Sequence, residues 1–162
     1  MYPNMTAQEI TILVTDHFAP LVLFARQWSV VEAEDIVQSV FLSLIRENHK
    51  KGRPENPTAW LYRSVRNEAI SQWRSNRRRQ DREERHAPPP PTFHKTGNSP
   101  FDPEAVGESL DRLRDDHREI VLMRIWGGLS FDEIAEATGK SRTTVFRLYR
   151  DGLEAMKNEL TK

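Results

Sequence analysis

The sequence predicts an all-α protein in which two small helical domains are joined by a proline-rich linker. Apolar residues recur at helical spacing over long stretches, and no alternating apolar run is bounded by turn residues as a strand would be. The segment 86–103, HAPPPPTFHKTGNSPFDP, contains four consecutive prolines, which fit neither a helix interior nor a central strand. We therefore expect domains at 1–83 and 104–162 and a linker at 84–103, with an ordered surface loop as the alternative for this segment.

The periodicity places three helices before the linker and four after it. The expected ranges are 6–28, 31–49 and 57–79, followed by 104–114, 116–126, 131–138 and 141–158. Helix ends predicted in this way are accurate to a few residues.

The composition excludes several classes of protein. The chain has 162 residues and no cysteine, which removes disulfides, thiol catalysis and cysteine-based zinc sites and fits a reducing cytoplasm. Its five histidines show no metal-ligand spacing, so we expect neither a metal nor a cofactor. No apolar run reaches the roughly 20 residues that cross a bilayer. The N-terminus lacks the plan of a signal peptide, whether Met1 or Met5 is the start, and no membrane insertion is expected.

The formal net charge is zero, with 24 basic and 24 acidic residues, but the charges are unevenly distributed. The segment 63–85 holds eight arginines against four acids, and the segment 140–150 is basic without any acid. Charges act mainly within a Debye length of about 8 Å at physiological salt, so these stretches can bind phosphate backbones despite the neutral total.

The segment LSFDEIAEATGKSRTTVFRLYRDGLEAMK predicts a helix-turn-helix. Ser130 and Glu133 form the S-x-x-E pattern of a capping box, which starts a helix. Gly139 is a natural helix stop, and Ser141 can cap the next helix. Two short helices that meet at a tight turn are typical of this DNA-binding motif, with a plain helical hairpin as the alternative.

The second helix of this motif has two different sides when it is wound at about 100° per residue. The packing side gathers Val145, Leu148, Tyr149, Gly152 and Met156. The opposite side carries Thr143, Arg147 and Arg150, with Thr144 at its edge and Arg142 near the helix start. Arginine donors can bind phosphates or guanine edges in a major groove. The alternative is a solvated charged face.

The helix expected at 31–49 has a broad apolar side and one isolated apolar residue on its polar side. Leu42 lies there at helical spacing from Asp35 and Gln38. A single exposed leucine usually has no function, but beside an acid and an amide it equally fits a patch that docks a partner. The residues alone leave both interpretations open.

The segment AWLYRSVRNEAISQWRSNRRR, residues 59–79, combines tryptophans with many arginines. Helical winding places Leu61, Tyr62, Val65, Ala69 and Trp73 on the core side. The other side holds Trp60, Arg63, Ser64, Asn67, Ser71 and Arg74. An exposed aromatic ring with arginine and asparagine neighbours is typical of single-stranded nucleic acid binding. The alternative is that Trp60 packs against a neighbouring helix while the arginines are solvated.

Three motifs in this order resemble those of bacterial RNA polymerase sigma factors of the extracytoplasmic-function type. They are EAEDIVQSVFLSLIR at 32–46, PTAWLYRSVRNEAISQWRSNRRR at 57–79, and the helix-turn-helix segment at 129–156. The resemblance covers roughly residues 8–158. It implies sigma domains 2 and 4, joined by the linker, in a cytoplasmic subunit that directs RNA polymerase core to promoter DNA.

The resemblance also implies roles for particular residues. In the family, the first motif docks on the clamp coiled coil of the largest polymerase subunit, which assigns core-polymerase binding to Asp35, Gln38 and Leu42. The second motif recognises and melts the minus-ten element. There Asn67 matches the position that reads a flipped base, Trp60 supports strand separation, and the phosphate contacts are Arg63, Arg66, Arg74, Arg77, Arg78 and Arg79. The third motif reads the minus-thirty-five element, through Arg142, Thr143, Thr144, Phe146, Arg147 and Arg150.

One residue departs from the family pattern. Many members have a basic residue directly after the valine of the recognition helix, where this chain has Phe146. Its ring either touches a thymine methyl or packs within the domain. An anti-sigma factor is a further partner that the resemblance implies.

A stand-alone regulator and an enzyme are the two alternative classes of function. A stand-alone helix-turn-helix regulator would bind duplex DNA without polymerase, commonly as a dimer. An enzyme is disfavoured, because the sequence shows no nucleophile with a paired base, no carboxylate cluster and no phosphate loop. We expect no small-molecule substrate.

Overall fold

The computed structural model describes residues 3–83 and 103–161, which contain seven α-helices and no strand. The helices are α1 (Ala7–Ala25), α2 (Ala33–Lys51), α3 (Pro57–Glu83), α4 (Pro103–Asp111), α5 (Asp115–Ile125), α6 (Phe131–Thr138) and α7 (Arg142–Leu160). The all-α prediction is confirmed, and each predicted helix is present with ends that differ by a few residues. The largest difference is at α3, which continues to Glu83 instead of ending at 79.

The chain divides into two compact units, one with helices α1–α3 and the other with helices α4–α7. The division confirms a two-domain architecture. The predicted linker 84–103 lies outside the described residues except for Pro103, so its limits stay a prediction.

The first unit is a three-helix arrangement around a fully buried apolar core. Thr6 and Glu9 start α1 with a reciprocal capping box, in which Glu9 N donates to Thr6 Oγ1 at 3.2 Å. In the core, the rings of Phe24 and Tyr62 meet edge to face at 5.1 Å. The buried Asn48 exchanges two hydrogen bonds with the backbone of Met5, which fastens the residues before α1 onto α2.

His17 makes the stability of this unit depend on pH. Its Nε2 lies 3.3 Å from Thr58 Oγ1, while its buried Nδ1 has no hydrogen-bond partner among the described residues. Burial lowers the pKa of His17 and outweighs the opposing effect of Asp16. The folded state therefore binds this proton more weakly than the unfolded state. Its contribution to stability is complete above the ordinary histidine pKa of about 6.5 and is lost as the pH falls below it.

We expect His17→Gln, which keeps a group that can hydrogen-bond to Thr58, to reduce this pH dependence. Urea unfolding measured between pH 8 and pH 5 should show a smaller fall in the free energy of unfolding for the variant than for the wild type. The exposed His49 supplies the control, because His49→Gln makes the same substitution at the surface of the same unit. Parallel curves for His17→Gln and the wild type would contradict the assignment.

The second unit packs helix α7 against α5 and α6. Gly152 lies at the closest approach of α7 to α5, where an added Cβ would stand 3.0 Å from Val121 Cγ2. In the first turn of α5, the buried Arg118 donates to three main-chain oxygens at and just beyond the end of α4, those of Leu110 at 2.7 Å, Asp111 at 2.9 Å and Leu113 at 2.8 Å. The last carbonyls of a helix have no partner one turn further on, so the guanidinium acts as the C-terminal cap of α4.

Candidate nucleic-acid interface

The turn between α6 and α7 is built by the capping residues that the sequence predicts. Ser130 and Glu133 form both hydrogen bonds of the capping box at the start of α6. Gly139 ends α6 with φ of 71°, in the left-handed region that glycine adopts without strain. Ser141 Oγ accepts from Thr144 N at 3.2 Å and starts α7. Together these caps produce a helix-turn-helix.

The two sides of α7 separate as the winding predicts. Val145, Leu148, Gly152 and Met156 are buried against the domain. The exposed residues of its first turns include five of the six predicted minus-thirty-five contacts, which are Arg142, Thr143, Phe146, Arg147 and Arg150. The sixth, Thr144, is half-buried, and its hydroxyl lies 2.8 Å from Ser141 Oγ. Tyr149, expected on the packing side, is also half-buried.

Two arginines of α7 have carboxylate partners on their own domain. Arg142 Nε lies 3.2 Å from Asp132 Oδ1, and Arg150 Nη2 lies 3.0 Å from Asp151 Oδ1. Arg147 is exposed and forms no ion pair with any described residue. The exposed side of α7 therefore has one unpaired arginine between two paired ones.

Phe146 is 52 % exposed, yet its ring packs against another aromatic ring of the same domain. It meets the ring of Phe131 edge to face, with centroids 5.4 Å apart and planes at 85°. Phe131 in turn contacts Tyr149 at 5.5 Å and carries the Arg124 guanidinium 4.6 Å above its ring. Packing within the domain, one of the two roles left open by the sequence, is thus present. Contact with a thymine methyl stays a prediction.

The outer side of α3 forms a shallow groove that collects several predicted minus-ten residues. Its lining consists of Arg66, Asn67, Ile70, Ser71, Arg74 and Arg78. Four of these belong to the predicted site, and Ile70 and Ser71 add an apolar and a hydroxyl side chain to it. Ser71 could be found from the sequence because helical winding puts it on the same side as Asn67. Ile70 could not, because its apolar side chain carries no sign of a polar site.

The remaining predicted residues of α3 occupy different surroundings. Arg79 is exposed, whereas Trp60 and Arg63 are half-buried at the start of the helix. The sequence left two alternatives for Trp60, an exposed ring and a ring packed against a neighbouring helix. Its half-buried side chain is intermediate between them.

The prediction that Trp73 belongs to the core is wrong. Its side chain is 39 % exposed, and the Arg77 guanidinium lies 5.2 Å from the ring centroid. The buried residues Leu61, Val65 and Ala69 are spaced by four, and each such step turns the helix about 40° beyond a full turn. Trp73, the next in this series, has consequently rotated off the core side.

On α2 the candidate docking residues Asp35, Gln38 and Leu42 are all exposed and lie on one side of the helix. Leu42 is 54 % exposed. The opposite side, with Ile36, Val40 and Leu44, is buried in the core.

The described residues form neither a candidate metal site nor a candidate membrane span. Within 3–83 and 103–161, no three His, Asp or Glu side chains are grouped so that they could hold a metal ion. None of the helices described in these ranges has the length and apolar character needed to cross a membrane.

Comparisons with known proteins place both units in one family. The sigma-70 region 2 family matches residues 14–79, and the sigma-70 region 4 family matches residues 104–156. The chain is 28 % identical over 132 residues to the RNA polymerase sigma factor SigV of Bacillus subtilis (strain 168), covering 81 % of this chain and 77 % of that protein.

Two solved structures share the fold. The sigma factor RpoE from Bartonella quintana, solved in complex with the anti-sigma factor NepR, has a TM-score of 0.76 and 22 % identity, over 96 % of this chain and 98 % of that one. CnrH, solved in complex with the cytosolic domain of CnrY, has a TM-score of 0.58 and 21 % identity, over 96 % and 90 % of the two chains.

The family consists of non-catalytic regulatory factors that act with RNA polymerase. Both family matches fall on the helices that carry the candidate interfaces, with region 2 on α1–α3 and region 4 on α4–α7. The chain belongs to the sigma-70 family and is an RNA polymerase sigma factor of the extracytoplasmic-function type.

Proposed function

We propose that this sigma factor docks on core RNA polymerase through Asp35, Gln38 and Leu42 and reads promoter DNA with two separate helices. Helix α3 takes the single-stranded minus-ten element in the groove around Asn67. Helix α7 takes the duplex minus-thirty-five element with its exposed side. On this proposal the chain itself catalyses nothing and works in the cytoplasm with polymerase.

The observation that carries the proposal is the presence of two different DNA-suited surfaces in one chain. The α7 surface offers exposed arginines on a helix-turn-helix, which suits a duplex major groove. The α3 surface offers a groove with an amide, a hydroxyl and three arginines, which suits unpaired bases and phosphates. A stand-alone regulator needs only the first of these surfaces.

Run-off transcription tests the proposal as a whole. Purified core polymerase is supplied with a genomic fragment library, with and without the protein. We expect new, discrete start sites that share an upstream and a downstream element. No new starts, together with tight binding to duplex DNA in the absence of polymerase, would instead support the stand-alone regulator.

Substitution of Asn67 tests the assignment of the α3 groove. We expect Asn67→Ala to lower formation of the open complex by about tenfold or more, because a good amide-to-base contact is worth roughly 1–3 kcal/mol. Closed-complex binding should change little, because the base is still paired there. Permanganate reactivity of unpaired thymines reports the open complex, and a gel shift at low temperature reports the closed one.

The exposed Asn158 on α7 provides the matched control, since Asn158→Ala makes the same change away from α3. An equal loss in the open and closed complexes of Asn67→Ala would mean that Asn67 only positions the helix.

Arg147 is exposed on α7 and forms no ion pair with any described residue. Its replacement should therefore remove a contact with DNA without breaking an ion pair within the domain. We expect Arg147→Ala to reduce the stimulation that the upstream element gives to transcription by about tenfold, since one arginine contact to a base is worth roughly 1–3 kcal/mol. The measurement compares templates with an intact and a scrambled upstream element.

Arg114→Ala removes another exposed arginine of the same unit and should leave this ratio unchanged. If Arg147→Ala behaves like Arg114→Ala, recognition of the element belongs to Thr143, Thr144 or Arg150.

An anti-sigma factor is the proposed second protein partner. Among the structures that share this fold are a sigma factor bound to an anti-sigma factor and CnrH bound to the cytosolic domain of CnrY. Their sequence identities of 22 % and 21 % support a shared fold but do not identify a partner of this chain. Co-purification of the full chain from its own cells would identify that partner.

A further inference from the structure

Trp73 and Arg77 form an exposed pair on α3 that lies outside the groove around Asn67. The Trp73 ring is 39 % exposed, and the Arg77 guanidinium lies 5.2 Å from its centroid. The segment from 69 to 80 contains four arginines and no acid. A large aromatic side chain at the surface of a basic segment is unusual enough to require a reason, because tryptophan is highly buried on average.

The core of the first unit does not account for this exposed ring. Leu61, Val65 and Ala69 already fill the inner side of α3. Beyond Ala69 the inner side continues with polar residues, and Asn76 Nδ2 donates to both carboxylate oxygens of Glu32, each at 3.0 Å. Trp73 therefore lies at the edge between the inner side and the basic outer side of the helix.

We propose that Trp73, together with Arg77, forms a stacking platform for one unpaired base of the promoter strand. The proposal rests on the proposed function, in which α3 holds single-stranded DNA. The indole supplies a face for any base, and the neighbouring cation holds the phosphate. Arg77 also stacks on the ring and so limits its rotation, which lowers the entropy lost when a base binds.

The platform binds a different nucleotide from the one at Asn67. Six residues separate Trp73 from Asn67, which corresponds to about 9 Å along the helix axis and about 120° around it. One base cannot reach both side chains with its edge at Asn67 and its face on the indole. The strand consequently leaves the groove on the side of Arg66 and Arg77, which lie at neighbouring angles on the helix.

Single-stranded DNA fits this surface better than duplex DNA or an apolar protein. In a duplex the faces of the bases are stacked on each other and only their edges are accessible in the grooves. An apolar protein surface would have to desolvate the arginines at 74, 77, 78 and 79, which is costly without paired acids. An acidic protein remains as the competing occupant, and the experiment separates it from DNA.

The experiment uses holoenzyme, assembled from core polymerase and the full chain, and forked promoter DNA whose non-template strand is single-stranded. Each base of that strand is replaced in turn by an abasic site, and binding is measured for the wild type, Trp73→Ala and Trp73→Phe. Circular dichroism verifies that the variants are folded. Duplex DNA that carries only the minus-thirty-five element is the control for general loss of binding.

We expect Trp73→Ala to weaken binding to intact forked DNA by about 5- to 150-fold, the range of base stacking on an aromatic side chain. At one position an abasic site should weaken the wild type by a similar factor but cause no further loss in Trp73→Ala. Trp73→Phe should retain most of the affinity, and duplex binding should not change.

Two results would overturn the proposal. The first is a loss in Trp73→Ala that adds to the abasic loss at every position, because Trp73 then supports the helix without touching a base. The second is unchanged binding of Trp73→Ala, which would leave an acidic protein as the occupant. Failure of the proposed function looks different, because wild-type holoenzyme itself would then show no preference for forked over duplex DNA.

Discussion

Leu42→Arg is expected to weaken binding of the chain to core RNA polymerase by about 10- to 100-fold without unfolding it. Leu42 is 54 % exposed on α2, so the substitution leaves the core intact. A leucine buried on binding contributes roughly 1.5–3 kcal/mol, and each 1.4 kcal/mol is tenfold in affinity. The arginine adds a charge that must lose its water in the contact.

Equilibrium binding of a fluorescently labelled chain to core polymerase measures this effect. Leu160 supplies a matched control, because it is also 54 % exposed but lies on α7. Leu160→Arg should bind polymerase like the wild type. Wild-type affinity of Leu42→Arg would remove α2 from the docking surface, and an equal loss in both variants would indicate a general effect of added charge.

Arg118→Leu is expected to destabilise the α4–α7 unit by about 3 kcal/mol or more. The guanidinium is buried and donates to the carbonyls of Leu110, Asp111 and Leu113. Leucine fills part of the space but removes all three of these hydrogen bonds, although Leu110 O keeps another donor, Leu113 N. A buried unsatisfied polar group costs roughly 1–3 kcal/mol. Several such groups together take a large share of the 5–15 kcal/mol that stabilises a typical domain.

Hydrogen exchange of the full chain, read by mass spectrometry, locates this effect. Peptides from 107–125 should exchange roughly 100-fold faster in Arg118→Leu, while peptides from α1–α3 should not change. Arg114→Leu is the control, because the Arg114 side chain is exposed and joins the Asp116 carboxylate at 3.8 Å in a surface ion pair. Unchanged exchange near α4 would mean that water replaces the guanidinium without loss.

The sequence defines best those elements whose ends carry capping residues. The predicted range 131–138 coincides with α6, because Ser130 and Gly139 determine where the helix begins and ends. The predicted end of α3, residue 79, is four residues too early, because no residue between 79 and Glu83 is a helix stop. Capping residues in the sequence therefore determine both ends of α6, whereas the sequence contains no such residue at the end of α3.

The candidate site was less accessible to sequence reasoning, since side-chain surroundings depend on distant residues. Trp73 continues a four-residue apolar spacing, and only the gradual rotation of that series shows that it leaves the core. The role of Phe146 depends on Phe131, fifteen positions earlier, whose ring supports it. By contrast, the exposure of Asp35, Gln38 and Leu42 follows directly from the winding of one helix.

The carboxylates beside the recognition helix act as internal counterions. Asp132 and Asp151 hold Arg142 and Arg150 before any DNA is present, and both contacts are surface ion pairs that cost less than about 1 kcal/mol to break. A phosphate that takes over either arginine frees a carboxylate, which attracts a cation from solution, so the net release of cations is smaller than for an unpaired arginine. On the proposal that α7 binds the minus-thirty-five element, these carboxylates lower the part of the affinity that is independent of sequence relative to the part that comes from contacts with the bases.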